Sequence, residues 1–442
     1  MTKRLWIVTA CSVLTWSENV PAQSRVANPL EALASQYVTT ETGITLADAI
    51  ARALAQEPTL RAARTELDVV RGERIQAGLR PNPIVSFMQQ TEPGGTDSQS
   101  KVEMQWPLDL FRKTGRVAVA EQELRATEKI VSDRERLLAA DVRMKYGEVV
   151  AAVRDLSVSD DLVATTSRQS DLLRARVDQG GAPPLERNMV EVERRRLEAE
   201  RLLQAGQVDR AVIELKRLLG MRTDAPLQLR NTLEQLVLRE VALPLRPDGT
   251  AVAIRADVQE ADARIRVADA QIDRARREGR VDLSLFGSYM RMDAGFPQLG
   301  LNAQGELTRV RGLFHYLSAG AALSVPLRNR NQGEIASAQA QRAGAAARLN
   351  AAKLTAEAEI AAAMARDEGA RSALEVYRRD ALDLARQNLD VVSQTYGLGR
   401  ATVFDVLAEQ RRYLDFEHSY SNALREAYDA RTALRRALGE LR

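Results

Sequence analysis

Residues 83–220 and residues 282–439 read as two copies of one unit. Pro107 and Pro326 each end a strand-like run, Gly180 and Gly399 each sit in a turn, Glu186 and Asp405 follow six residues later, and Leu219-Gly220 and Leu438-Gly439 each close a helix. Each of these pairs is 219 residues apart. Upstream the register is 199 instead: Arg61-Ala62 matches Glu260-Ala261, and Ile84 matches Leu283. Twenty residues were therefore gained at one place, between the paired strands of the second copy. A repeat this long constrains architecture more than any motif does, because each unit must find a partner for its apolar face.

The composition suits long helices packed through narrow apolar seams. Aromatic residues make up only 4% of the chain and charged residues 28%. The net charge of +3, from 63 basic and 60 acidic residues, gives no case for a nucleic-acid partner. Cys11 is the only cysteine, which excludes a disulfide framework and a cysteine-based metal site.

The first 22 residues read as an export leader. Lys3 and Arg4 form a basic start, Leu5 to Trp16 is mostly apolar, and Val20-Pro21-Ala22 offers a cleavage site. Val8-Thr9-Ala10-Cys11 is a competing lipoprotein-type site, but it leaves an apolar stretch of about six residues against the roughly 7–15 that a leader needs. Beyond the leader no apolar run approaches the ~20 residues of a membrane helix. The expected division is a leader over 1–22, a first copy over 23–220, a connector at the equator over 221–244, and a second copy over 245–442.

Leu46 to Leu79 is helical in pattern, with Thr45 as N-cap, and stops before Arg80-Pro81-Asn82-Pro83. Arg112 to Asp178 and Asn331 to Gly397 are each 67 residues without proline. Leu124, Val131, Leu138, Val142, Val149, Val153, Leu156 and Val163 mark the packed seam of the first. Helices over Pro183 to Leu219 and Thr402 to Leu438 follow the turns at 178–186 and 396–405. A 67-residue helix spans roughly 100 Å, about the summed length of the two short helices of its copy. The economical arrangement stacks those two end to end against the long one.

Strand-like pairs lie between each short helix and its long helix, over about 83–90 with 100–108, and 281–290 with 316–327. In Lys101 to Leu108, Val102, Met104, Trp106 and Leu108 share one face, while Lys101, Glu103 and Gln105 share the other. Leu317 to Leu327 alternates in the same way. Alternation over about ten residues with one polar side is the pattern of an outer-membrane strand. Four strands cannot close around a passage, and eight leave an interior filled by side chains. Three chains would supply twelve. Thr91 to Gln99 and Arg291 to Tyr316 are then the outward loops, and the twenty extra residues fall in the second.

At this point the chain resembles the outer-membrane efflux proteins, the TolC-like channels, from about Thr45 to Gly439. The resemblance rests on Leu46-Ala47-Asp48-Ala49-Ile50 with Glu57-Pro58, on Gly78-Leu79-Arg80-Pro81-Asn82-Pro83, and on Tyr396-Gly397-Leu398-Gly399-Arg400-Ala401-Thr402 with Phe404-Asp405-Val406-Leu407. The Gly-Leu-Arg-Pro-Asn-Pro entry looks most like the branch serving cobalt–zinc–cadmium-type metal exporters. The resemblance implies a mainly α chain with a small β part. It implies a homotrimer with a twelve-strand β-barrel in outer-membrane lipid and a helical barrel in the periplasm. It further implies a periplasmic adaptor, an inner-membrane pump of the RND type, no cofactor and no catalysis.

The same resemblance assigns roles at the turns. Tyr396 and Glu186 match a tyrosine–acid pair that holds the tip closed, and Asp405 matches an acid facing the passage, where three copies would form a carboxylate ring. Gly180, Gly181, Leu398, Gly399 and Arg400 match the adaptor-docking tip. Ala401 and Ala408 depart from the family, standing where some members have a gate arginine and a second acid, although Glu409 is adjacent. Read without the family, Glu186 and Asp405 are acids placed favourably at helix starts. His315, read as a loop residue, and His418, read as a helix-surface residue, form no ligand cluster. Met290 and Met292 are a weak soft-metal pair, and no enzyme motif is present. The rival to a channel is a periplasmic coiled-coil adaptor or scaffold, which would carry one helical hairpin inserted into β-rich domains.

Overall fold

A computed structural model describes residues 33–39, 42–95, 97–238, 249–378 and 381–440. The expected leader with Cys11, and part of the expected connector, lie outside the described residues. The first copy comprises α1 (Leu46–Gln56), α2 (Pro58–Ala77), β1 (Ile84–Thr91), β2 (Ser98–Pro107), α3 (Arg112–Asp178) and α4 (Pro184–Leu218). A short α5 (Leu233–Leu238) follows. The second copy comprises α6 (Gly249–Ile254), α7 (Ala256–Glu278), β3 (Asp282–Leu301), β4 (Leu307–Ser324), α8 (Gln332–Arg378), α9 (Ala381–Gly397) and α10 (Val403–Leu438).

The helix expected over 46–79 is two helices. Thr45 caps α1 by accepting the Asp48 N–H. Glu57 is then extended (φ −62°, ψ 124°), as a residue before proline prefers. Pro58 opens α2, where its missing N–H costs nothing, and the Glu57 carboxylate accepts the Leu60 N–H at 2.6 Å. The second copy repeats the break at Arg255, also extended, with no proline beside it. The helix expected over 331–397 is described as α8 and α9, with residues 379–380 between them outside the described residues.

Both breaks sit where another helix ends. A Cβ on Gly220, just past α4, would lie 2.7 Å from the Gln56 carbonyl oxygen, so α4 abuts the end of α1. In the second copy Gly439 lies against Arg255, whose buried guanidinium donates to the Ala437 carbonyl at 3.2 Å. Arg255 also pairs with Asp257 and Glu359, each at 2.7 Å. It therefore satisfies a carbonyl that the end of α10 leaves without an intrahelical partner.

The long α3 runs through both halves of the molecule. It packs on α2 and α7 in one half and on α4 and α10 in the other, while α8 packs on α7 and α9 on α10. The largest apolar core lies between the two halves, around Tyr146, Leu156, Leu215, Leu229 and Leu424. Leu229, in the connector, bridges Val38 and Ile44, and the Tyr146 hydroxyl donates to the Ile44 carbonyl at 2.9 Å. Contact there is close: a Cβ on Gly147 would sit 2.2 Å from the Tyr428 ring.

The four strands form one antiparallel sheet in the order β1-β2-β3-β4. The β2–β3 ladder, with Ser98–Pro107 against Ser284–Asp293, joins the two copies. The loop expected over 291–316 is mostly strand. β3 and β4 run on beyond the end of β2 as a two-stranded ribbon, closed by a turn at 302–306 and interrupted by a register shift between Gly295 and Leu299. The glycine- and proline-bearing stretch over 294–300 reads as loop in isolation, but β4 supplies its ladder. His315 accordingly lies in β4 and not in a loop, and its Nδ1 is 2.6 Å from the Tyr289 hydroxyl.

Candidate functional site

The two helix hairpins α3–α4 and α9–α10 end in turns of the same construction. Gly180 and Gly399 adopt left-handed φ values of +72° and +74°. The Gly181 N–H reaches the Arg176 carbonyl at 2.7 Å, and the Arg400 N–H reaches the Thr395 carbonyl at 3.0 Å. The Gly180 N–H bonds the Val177 carbonyl, and the Gly399 N–H bonds that of Tyr396, both at 2.9 Å. This is the helix-ending motif that favours glycine at the left-handed position. The 219-residue offset is thus a repeat of hydrogen bonds as well as of residues.

Beyond the turns the hairpins differ. Pro184 starts α4, whereas α10 starts with a capping box. In that box the Thr402 hydroxyl accepts the Asp405 N–H, and Asp405 Oδ2 accepts the Thr402 N–H at 2.8 Å. Hydrogen bonds from the Thr402 hydroxyl and backbone hold the Asp405 carboxyl below the usual aspartate range. Asp405 is exposed and caps its own helix; its carboxylate bonds nothing in the other hairpin.

Glu186 and Tyr396 do meet. The Tyr396 hydroxyl donates to Glu186 Oε2 at 2.9 Å, joining α9 to the first turn of α4. Tyr396 packs on an apolar cluster of Leu173, Val190 and Val403, drawn from α3, α4 and α10. Burial, with the adjacent Glu186 carboxylate, pushes the Tyr396 hydroxyl up to about 12. Two further links between the hairpins stand deeper and escape sequence reading. Gln410 Nε2 donates to Thr166 Oγ1 at 2.7 Å, and Arg411 pairs with buried Glu193 at 3.1 Å. Both lie among charged helical residues that read as solvated surface.

Gly180, Gly181, Leu398, Gly399 and Arg400 are all exposed at the turns, Leu398 by 75%. Two other exposed apolar side chains, Leu185 and Phe404, stand at the starts of α4 and α10. Their signal in the sequence is a large apolar residue within six positions of a turn glycine.

The sheet has two unlike faces. Register places Phe87, Val102, Tyr289 and Leu317 in one row, Val85, Met104, Gly287 and Ala319 in the next, and Trp106, Leu285 and Ala321 beyond. The opposite face carries Ser86, Lys101, Glu103, Gln105, Ser284, Ser288 and Ser318 together with Ile84, Met88, Phe286, Met290 and Tyr316. Strands of about ten residues that alternate an apolar face with one bearing most of the polar side chains are the pattern of a membrane barrel. Among the described residues no helix is long and apolar enough to cross a membrane. Nor does any group of three or more His, Cys, Asp or Glu among them gather as a metal site.

Comparison with known proteins places these features. The family described as outer membrane efflux protein matches residues 49–221 and 249–440, one segment on each copy. The cobalt-zinc-cadmium resistance protein CzcC of Cupriavidus metallidurans is 23% identical over 397 residues, which cover 90% of each chain. The crystal structure of CusC superposes with a TM-score of 0.72 at 18% identity, covering 91% of this chain and 93% of that one. The open-state MtrE outer membrane channel of Neisseria gonorrhoeae gives a TM-score of 0.70 at 18% identity, covering 89% and 88%. The long helical hairpins and the two-faced sheet belong to one design. The chain belongs to the outer membrane efflux protein family and is an exit channel of the outer membrane with a helical extension into the periplasm, not an enzyme.

Proposed function

We propose that three copies assemble into one conduit that a periplasmic adaptor joins to an inner-membrane pump of the RND type, with the helix turns as gate and docking surface. Each chain contributes two efflux repeats, over 23–220 and 245–442. Two sheet edges support the trimer. Within the chain β1 and β4 each pair on one side only. In a membrane such edges need partners, which β4 of one copy and β1 of the next provide. Twelve strands then surround a passage lined by the polar face.

The observation that carries the gate is the Tyr396–Glu186 hydrogen bond, because it ties one hairpin of the chain to the other. Opening separates α9–α10 from α3–α4 and breaks this bond together with Gln410–Thr166 and Arg411–Glu193. The adaptor stabilises the open arrangement by binding it better than the closed one. Exposed Leu398, with Gly180, Gly181, Gly399 and Arg400, forms the docking tip. Asp405 faces the passage as one of three carboxylates that concentrate cations.

The cargo is a divalent metal cation. The likeness to CzcC, a metal resistance protein, supports this reading. Deletion of the chain from its own host is expected to raise sensitivity to cobalt, zinc and cadmium salts, and the intact chain to restore resistance. Sensitivity that rises only toward organic toxicants sinks the metal reading and leaves the gate untouched.

A further inference from the structure

We propose that the junction between the sheet and the helices carries an arginine collar that binds the phosphate groups of anionic phospholipids in the inner leaflet of the outer membrane. Four segments meet there: the entries to β1 and β3 and the exits from β2 and β4. They bring together Arg80, Arg112, Lys113, Arg280, Arg328 and Arg330. Two of the acids nearby are already engaged. Asp109 pairs with Arg116 at 2.6 Å, and Asp282 with Arg112 at 3.5 Å. Arg80, Arg280, Arg328 and Arg330 are exposed, and none has a carboxylate partner among the described residues.

Their setting distinguishes them from solvated surface arginines. Exposed apolar side chains alternate with them: Leu79 precedes Arg80, Leu327 precedes Arg328, and Leu110 and Phe111 precede Arg112. The Arg280 guanidinium stands over the Phe111 ring at 5.9 Å. All four segments join the sheet to the helices at its helix-bearing end, which is the periplasmic end. A guanidinium on an apolar stem at that level holds its stem against acyl chain and its charge among headgroups. Its planar fork suits a phosphodiester. The other end of the sheet is of mixed sign, with Glu92, Asp97, Asp293 and Glu306 among Arg291, Arg309 and Arg311. The collar is therefore a property of one leaflet.

The test uses the full-length channel extracted in mild detergent and exchanged into an equimolar mixture of phosphatidylglycerol and phosphatidylcholine, with retained lipid counted by native mass spectrometry. The intact channel is expected to retain the anionic lipid in at least fivefold excess, on the scale of one arginine at a charged membrane surface. The combined Arg80→Gln, Arg280→Gln, Arg328→Gln and Arg330→Gln variant loses the excess, and the matching lysine variant keeps most of it. If the glutamine variant does not assemble, salt decides the matter on the intact channel, since about 1 M salt shortens screening to roughly 3 Å and abolishes the preference. A preference that survives such salt, or one that inorganic phosphate removes as well as lipid does, overturns the proposal. So does a glutamine variant with unchanged lipid retention and altered ion selectivity in planar bilayers, which would turn the collar toward the passage.

Discussion

The Tyr396 hydroxyl and Glu186 Oε2 are 2.9 Å apart although 210 residues separate them in the chain. A hydroxyl donating to a carboxylate at a half-buried place is worth about 1 kcal/mol. Tyr396→Phe keeps the ring on Leu173, Val190 and Val403 and removes only the bond. The open population per protomer should then rise about fivefold, read as mean current in planar bilayers. Unchanged current removes this bond from the gate.

The same tyrosine predicts an alkaline response. Its hydroxyl is raised from the ordinary 10 to about 12. The neutral form is the one the closed tip favours, so its contribution is complete below pH 10 and disappears as pH rises through about 12. Current through the wild-type channel should be flat across neutral pH and climb between 10 and 12. Tyr396→Phe should lack that climb, and an equal climb in both proteins would assign it to another group.

Asp405 has two roles that mutation can separate. Thr402→Ala removes the hydroxyl half of the capping box and leaves the charge, whereas Asp405→Asn removes the charge. Block by a trivalent cation added from the periplasmic side should weaken only in Asp405→Asn. Equal weakening in both variants would mean that the cap, and not a ring of carboxylates, sets the sensitivity. The carboxyl lies below its ordinary value, so its contribution to the cap is present above about pH 4 and fades as pH falls through the depressed value.

Gly399 tests the docking tip through backbone strain alone. Its φ is +74°, and nothing lies within 4 Å of an added Cβ. Gly399→Ala should cost about 1 kcal/mol at the turn and weaken adaptor binding, while Gly399→Asn, which tolerates the left-handed region, costs less. Affinity for the adaptor measured on both variants checks the order, and alanine performing as well as asparagine contradicts it.

What could be read in advance follows the range of the forces involved. The length of α3 was legible to the residue, since an apolar seam and the absence of proline act locally. The break before Pro58 went unread although a proline marks it, and its counterpart at Arg255 carries no such mark. There the cause is a guanidinium bonding the Ala437 carbonyl, 182 residues away. The β3–β4 ribbon was hidden for a related reason: Gly295 and Gly300 have the composition of a loop, and only pairing with Arg311 and Thr308 of β4 makes them strand. Tyr396 and Glu186 were brought together by likeness to a family, because no local pattern links a helix end to a helix start. Gln410 and Thr166 had neither route, since a glutamine in a charged helix reads as surface.

A buried ion pair holds α8 to α10 in the second copy. Arg431 Nε lies 2.8 Å from Asp367 Oδ1, with side chains only 8% and 3% exposed. Removing one partner strands the other charge in a low-dielectric interior, at a cost of about 3–5 kcal/mol. Asp367→Ala is therefore expected to lower the thermal stability of the channel sharply. The double variant Asp367→Leu with Arg431→Met replaces both charges by apolar volume and should recover most of the loss. A thermal-denaturation cycle over the two singles and the double measures the coupling. If the double is as unstable as the sum of the singles, the pair acts independently, and the charge is not what binds α8 to α10.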